Sequence, residues 1–155
     1  AILRVKLPQV ARWNRLRREH AYEYNRRLAG CPGVELPCEL TAADRAAVGT
    51  ETDGGFLEAV YHQYTVRLPE RDAVSRRLTE AGIGNAVYYP IPLHLQPVHA
   101  HLGLGAGRFP HAERAARTCL SLPMFPELTS TQIQTVVGRI ADAAAGLSAR
   151  SSAAA

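Results

Sequence analysis

Across residues 10–28 apolar side chains recur every three or four positions. Val10, Trp13, Leu16, Ala21, Tyr24 and Leu28 share one side of a helix, opposite Arg12, Arg15, Arg18 and Arg26 with Glu19 and Glu23. The pattern then breaks. CPGVELPCELTAADRAAVGTETDGG is rich in Gly, Pro, Thr and Asp and reads as loop, with a short strand around 34–36. In AVYHQYTVRL the period changes to two: Val60, His62, Tyr64, Val66 and Leu68 alternate with Tyr61, Gln63, Thr65 and Arg67, as in a strand.

Pro69 opens a helix through Ala81, with Val74 and Leu78 one turn apart and Gly82 placed to end it. A second strand is expected at 86–89, then a short helix near 96–102, the glycine-rich turn GLGAGR, and a helix from Pro110 to about Cys119. The last helix is the best marked. Thr129 and Gln132 form a capping-box pattern, and Ile133, Val136, Val137, Ile140 and Ala144 form its buried stripe. These elements predict an α/β or α+β domain over 1–146, a small sheet of two to three strands covered by helices, with 147–155 as a disordered tail.

Composition narrows the class. The 155 residues are 46% hydrophobic, enough for one globular core, and contain no run near the roughly 18 apolar residues that a membrane-spanning helix needs. No basic region leads into an apolar run and a cleavage site, and the three cysteines, Cys31, Cys38 and Cys119, fit no common redox or zinc spacing. Reduced thiols and a cytoplasmic location are expected. The net charge of +4 raises nucleic-acid binding, but Arg15 with Glu19 and Glu23 with Arg27 have the spacing of a mixed, solvated helix face, so no nucleic-acid partner is expected.

The chemistry-bearing stretch is AVYYPIPLHLQPVHAHL. Pro90, Pro92 and Pro97 fix the backbone and remove donors, so the chain must leave the sheet along a stiff path. This path has two readings. Tyr88 and Tyr89 are half-buried strand residues with their hydroxyls in water, or the connector carries Tyr89 and His94 to the mouth of a site completed elsewhere. As strand neighbours, Tyr88 and Tyr89 are expected on opposite faces. His94, His99 and His101 also raise a metal site, but no Asp, Glu or Cys nearby supplies a further ligand. GLGAGR lacks the lysine and hydroxyl of a phosphate-binding loop and reads as a flexible turn. SLPMFPEL is read as packing at the domain's edge.

GIGNAVYYPIPLHLQPVHAHLG, followed by RFPHAERAARTCLSLPMFPELTSTQ, resembles the C-terminal portion of the DegT/DnrJ/StrS family of sugar aminotransferases, and ILRVKLPQVARWNRLRREHAYEYNRRL resembles that family's helix between its large and small domains. The resemblance implies the small domain of a fold-type I, pyridoxal-phosphate-dependent enzyme, usually a homodimer. Such an enzyme moves an amino group from an amino acid such as glutamate to a keto sugar linked to a nucleotide. It also implies that Tyr89, His94 and Tyr88 face the cofactor cleft as substrate-binding groups, their phenols and imidazole donating to sugar or diphosphate oxygens.

The chemistry of that family needs a lysine to hold the cofactor, an acid at the pyridinium nitrogen and donors for the phosphate. The family keeps these in its large domain. Lys6, the only lysine among 18 lysines and arginines, lies in a KLP stretch resembling the inter-domain connection, so no catalytic or cofactor-binding residue is expected in this chain. The expectation is a small domain separated from, or encoded without, its catalytic partner. A stand-alone interaction module without catalysis is the alternative.

Overall fold

The computed structural model describes residues 2–39 and 59–153, with side chains described to Ala144. The elements in chain order are α1 (Ile2–Lys6), a 3-10 turn at Leu7–Gln9, α2 (Val10–Leu28), β1 (Tyr64–Arg67), α3 (Arg71–Glu80), 3-10 turns at Leu93–Leu95 and Pro97–Leu102, α4 (Pro110–Thr118), β2 (Cys119–Leu122) and α5 (Ser130–Ala153). This is the expected class, a small sheet covered by helices.

The strands differ from expectation in place. β1 and β2 are antiparallel, with Tyr64 opposite Leu122 and Arg67 opposite Cys119. Glu35 makes a single-residue bridge to the outer side of β1, and Ala86 makes one to the outer side of β2. So the strands predicted at 34–36 and 86–89 shrink to one paired residue each, and the one at 59–68 to its last half. Instead, Cys119–Leu122, expected as a helix end and an edge segment, is the strand to which β1 pairs. Its four residues are all buried, so no alternation marks it, and it leaves α4 with no turn between.

α3 begins at Arg71, after Glu70 at φ +52°, and not at Pro69 as expected, but its predicted end holds. Gly82 adopts φ +73°, and the Ile83 and Gly82 amides donate back to Leu78 and Thr79 at 2.8 and 2.9 Å, the paired bonds of a glycine-terminated helix. The start of α5 is also as read: Thr129 N–H donates to Gln132 Oε1 at 2.9 Å, and Gln132 N–H to Thr129 Oγ1 at 3.3 Å. α5 runs to Ala153, past Gly146, where the pattern had placed the end of the packed body.

The core forms where α2, α3 and α5 meet the sheet: Ala21, Tyr24 and Leu28, then Val74 and Leu78, then Ile133, Val136 and Ile140, against Tyr64, Val66, Leu120 and Leu122. Tyr24 and Tyr64 stack at 4.8 Å, and both hydroxyls are satisfied, donating to the Pro123 carbonyl at 3.1 Å and to Asn25 Oδ1 at 2.6 Å. Loss of water around them pushes both phenols well above their ordinary range. Only the C-terminal half of the α2 stripe is buried. Val10 is exposed and Trp13 and Leu16 are partly so, while α1 buries nothing. On the polar side the predicted pairs form, Arg15 with Glu19 at 3.8 Å and Arg27 with Glu23 at 2.8 Å.

Candidate functional site

The proline-rich stretch forms a span fixed at both ends. At one end Ala86 exchanges two backbone bonds with Ser121 of β2, at 3.1 and 2.7 Å. At the other end the Leu93–Leu95 turn buries His94, whose Nε2 lies 3.1 Å from Glu113 Oε1 in the first turn of α4. Between them Pro90 and Pro92 restrict the backbone, and Tyr88 and Tyr89 stand 46% and 72% exposed. Their rings meet edge to face at 5.8 Å, and both line one cavity of about 700 Å³. Opposite faces were expected of strand neighbours; with no strand formed at these residues, both line the same cavity.

The cavity's other walls are β1, β2, α4 and residues 35–38. Thr65 and Arg67 enter from β1, Cys119 from β2, and Gln96 from beyond the span. Arg67 is paired with Glu35 at 3.6 Å, and Glu35 also meets Arg114 of α4. Cys119 is buried, its thiol 3.8 Å from the Tyr88 carbonyl. A second cavity of about 630 Å³ lies on the other side of Tyr88, bounded by Asn85, Met124, Phe125 and Gln132. SLPMFPEL is thus part strand and part wall, with Phe125 exposed and Leu128 buried.

Of the three predicted site residues, Tyr88 and Tyr89 share a cavity and His94 lies apart from both cavities, turned inward. The His94 ring packs edge to face on Phe109 at 4.9 Å. Its partner Glu113, which the sequence pattern did not single out, is 8% exposed and also accepts from the Gly107 amide at 2.8 Å and the Phe109 amide at 3.4 Å. Removal from water alone would raise this carboxyl; the Gly107 amide, His94 and the Phe109 amide outweigh it and hold the group below its ordinary value of 4.5. GLGAGR, read as a flexible turn, therefore has one amide committed to a buried carboxylate. An acid in the first turn of a helix is common enough that the sequence carried no sign of this use.

His99 and His101 lie on the exposed 3-10 turn, their rings 6.5 Å apart, and among the described residues no group of three metal-ligating side chains forms. Lys6 is exposed at the end of α1 and lines neither cavity. A pyridoxal phosphate held through a lysine needs that lysine in a cleft, so the residues present do not fit as its covalent holder. The three cysteines are free thiols, and no described helix is long and apolar enough to cross a membrane.

Comparison with known proteins matches residues 1–141 to the DegT/DnrJ/EryC1/StrS aminotransferase family. A pleiotropic regulatory protein of Geobacillus stearothermophilus is 48% identical over 92% of this chain and 35% of its own length. A dTDP-3-amino-3,4,6-trideoxy-alpha-D-glucose transaminase of Streptomyces venezuelae is 36% identical over 90% and 33%. Among solved structures, S. venezuelae DesV superposes with a TM-score of 0.80 at 34% identity, covering 92% of this chain and 35% of that one. The putative sugar aminotransferase Spr1654 of Streptococcus pneumoniae, at 20% identity and a TM-score of 0.78, shares the fold, over 96% and 35%. The chain spans about a third of the length of the curated relatives it matches.

Proposed function

The chain belongs to the DegT/DnrJ/EryC1/StrS aminotransferase family, and from that premise we propose that it is the C-terminal part of a sugar-nucleotide aminotransferase. The complete enzyme moves an amino group from an amino acid such as glutamate to a keto sugar carried on a nucleotide, using pyridoxal phosphate, as a homodimer in the cytoplasm. These 155 residues supply a substrate wall. The lysine and the cofactor cradle come from a large domain, and without it the chain does not transaminate.

The observation that supports this reading is the fixed span over the 700 Å³ cavity, with two exposed tyrosines, Thr65 and Gln96 converging on it. Phenol and amide donors on a stiff support suit the hydroxyl and diphosphate oxygens of a sugar nucleotide, because little side-chain freedom is lost on binding. His94 serves the same wall from behind, by holding the span.

Joining the chain to a family large domain tests the reading. Transamination of a keto sugar nucleotide is expected to return, and Tyr89→Phe is expected to weaken sugar-nucleotide binding about tenfold, the cost of one hydrogen bond to a charged oxygen. A folded, cofactor-loaded but inert product would overturn it.

One observation favours a second reading, a self-associating module without catalysis. Ile2, Leu3, Val5 and Leu7 are 69–82% exposed on α1 and the turn after it, an apolar strip without a described partner. A strictly monomeric chain across a wide range of concentration would remove this reading.

A further inference from the structure

We propose that Glu113 is the positioning residue of the tyrosine wall: acting through His94 and the 103–109 loop, it keeps the span that carries Tyr88 and Tyr89 closed over the cavity. The inference rests on the reading of Tyr88 and Tyr89 as a substrate wall.

Its basis is the unequal anchoring of the span. The Ala86 end is a backbone bridge whose bonds do not depend on side-chain identity. The His94 end depends on one carboxylate oxygen. Glu113 Oε1 gathers the His94 imidazole from the span and the Gly107 and Phe109 amides from the loop, so one atom ties two pieces of chain to the first turn of α4 through three contacts. Phe109 packs edge to face on the same imidazole, and His94 and Glu113 are both buried, so their contact is shielded from water. Between His94 and Tyr89 lie only four residues, two of them proline. A displacement of His94 is therefore passed to Tyr89 instead of being absorbed by the backbone. α4 gains by the same contact, since the Phe109 amide at its N-terminus is one of the donors that no helical bond satisfies.

The cavity contains its own reporter. Cys119 is buried beneath the span, its thiol against the Tyr88 carbonyl, while Cys38, which also lines the cavity, is exposed and Cys31 partly so. With Cys31 and Cys38 replaced by serine, modification of Cys119 by dithiobis(nitrobenzoate) measures how often the span lifts. Glu113→Gln keeps size and shape but replaces a carboxylate with a neutral amide. It is expected to raise the labelling rate at least about tenfold, as a charge-assisted bond becomes a neutral one. The increase should be flat in low urea, the mark of a local opening that exposes little surface. The Gly107 amide proton should move upfield in the same variant. His94→Asn, which leaves the two loop amides on Glu113, is expected to give a smaller rise of the same urea-independent kind.

Labelling of Glu113→Gln equal to wild type would overturn the proposal. So would labelling that rises only with the steep urea dependence of global unfolding, since a merely structural glutamate acts through overall stability. If Glu113→Gln does not fold, His94→Asn decides by the same two criteria. None of these readouts uses a sugar nucleotide, so a failed anchor is distinguishable from a failed wall, which would show as lost binding specificity in the two-domain protein with the anchor intact.

Discussion

β2 and the span beside it share a backbone bridge, yet they are held by different physics. Leu120 of β2 and Val66 of β1 are fully buried, each one of many apolar groups in a continuous core. Removal of such a side chain from water contributes about 1.5–3 kcal/mol, and that stabilisation is spread over many contacts. Across the bridge, Tyr89 and Leu93 are 72% and 71% exposed and contribute little of this kind. There the backbone is placed by prolines, two bonds at Ala86 and one carboxylate. The sheet is expected to open only when the whole molecule does, and the span to have a separate, lower-energy opening of its own.

The contrast is broken most severely in the core. Leu120→Ala is expected to cost about 2–5 kcal/mol, seen as a shift of the urea midpoint with the slope unchanged. A change of slope would mean that the sheet does not unfold with the helices. Thr129→Ala removes the side-chain half of the capping box on α5 and is expected to cost about 1 kcal/mol in the same titration.

The smallest effect is confined to acid. Because the Glu113 carboxyl lies below its ordinary 4.5 in the folded chain, its share of stability is present above about pH 4.5 and is lost as the pH falls through the lower folded value. In Glu113→Gln the thermal midpoint should therefore fall less between neutral pH and pH 3 than in wild type. An acid limb parallel to that of wild type would remove the carboxylate from the account of the span.

The helices were legible in the sequence because each carries its own signals: the period of Val74 and Leu78, Gly82 at a left-handed position, and Thr129 with Gln132. The family was legible too, in the long ordered run from Gly82 to Gln132. The strands were less so. Val60 and His62 continue the alternation of Tyr64, Val66 and Leu68, but Val60 and His62 are exposed and Tyr61 is buried; pairing stops at Tyr64 because β2 ends opposite it, at Leu122. The full burial of Cys119–Leu122 erased the alternation by which a strand is read. Of the site candidates read from the sequence, Tyr88 and Tyr89 line one cavity, and His94 faces Glu113 and lines neither cavity.

By itself, then, the sequence determined the positions of α2 to α5, the caps at Gly82 and Thr129, the mixed charge of α2 and the stiffness of the 88–97 stretch, since these depend on residues within a few positions of one another. Tertiary structure alone decided which strand completes the sheet, that both tyrosines share a cavity, and that Glu113 receives His94 and the Gly107 amide. Those outcomes depend on contacts between residues 6 to 58 positions apart, and no local period or propensity encodes which buried carboxylate will meet which donor.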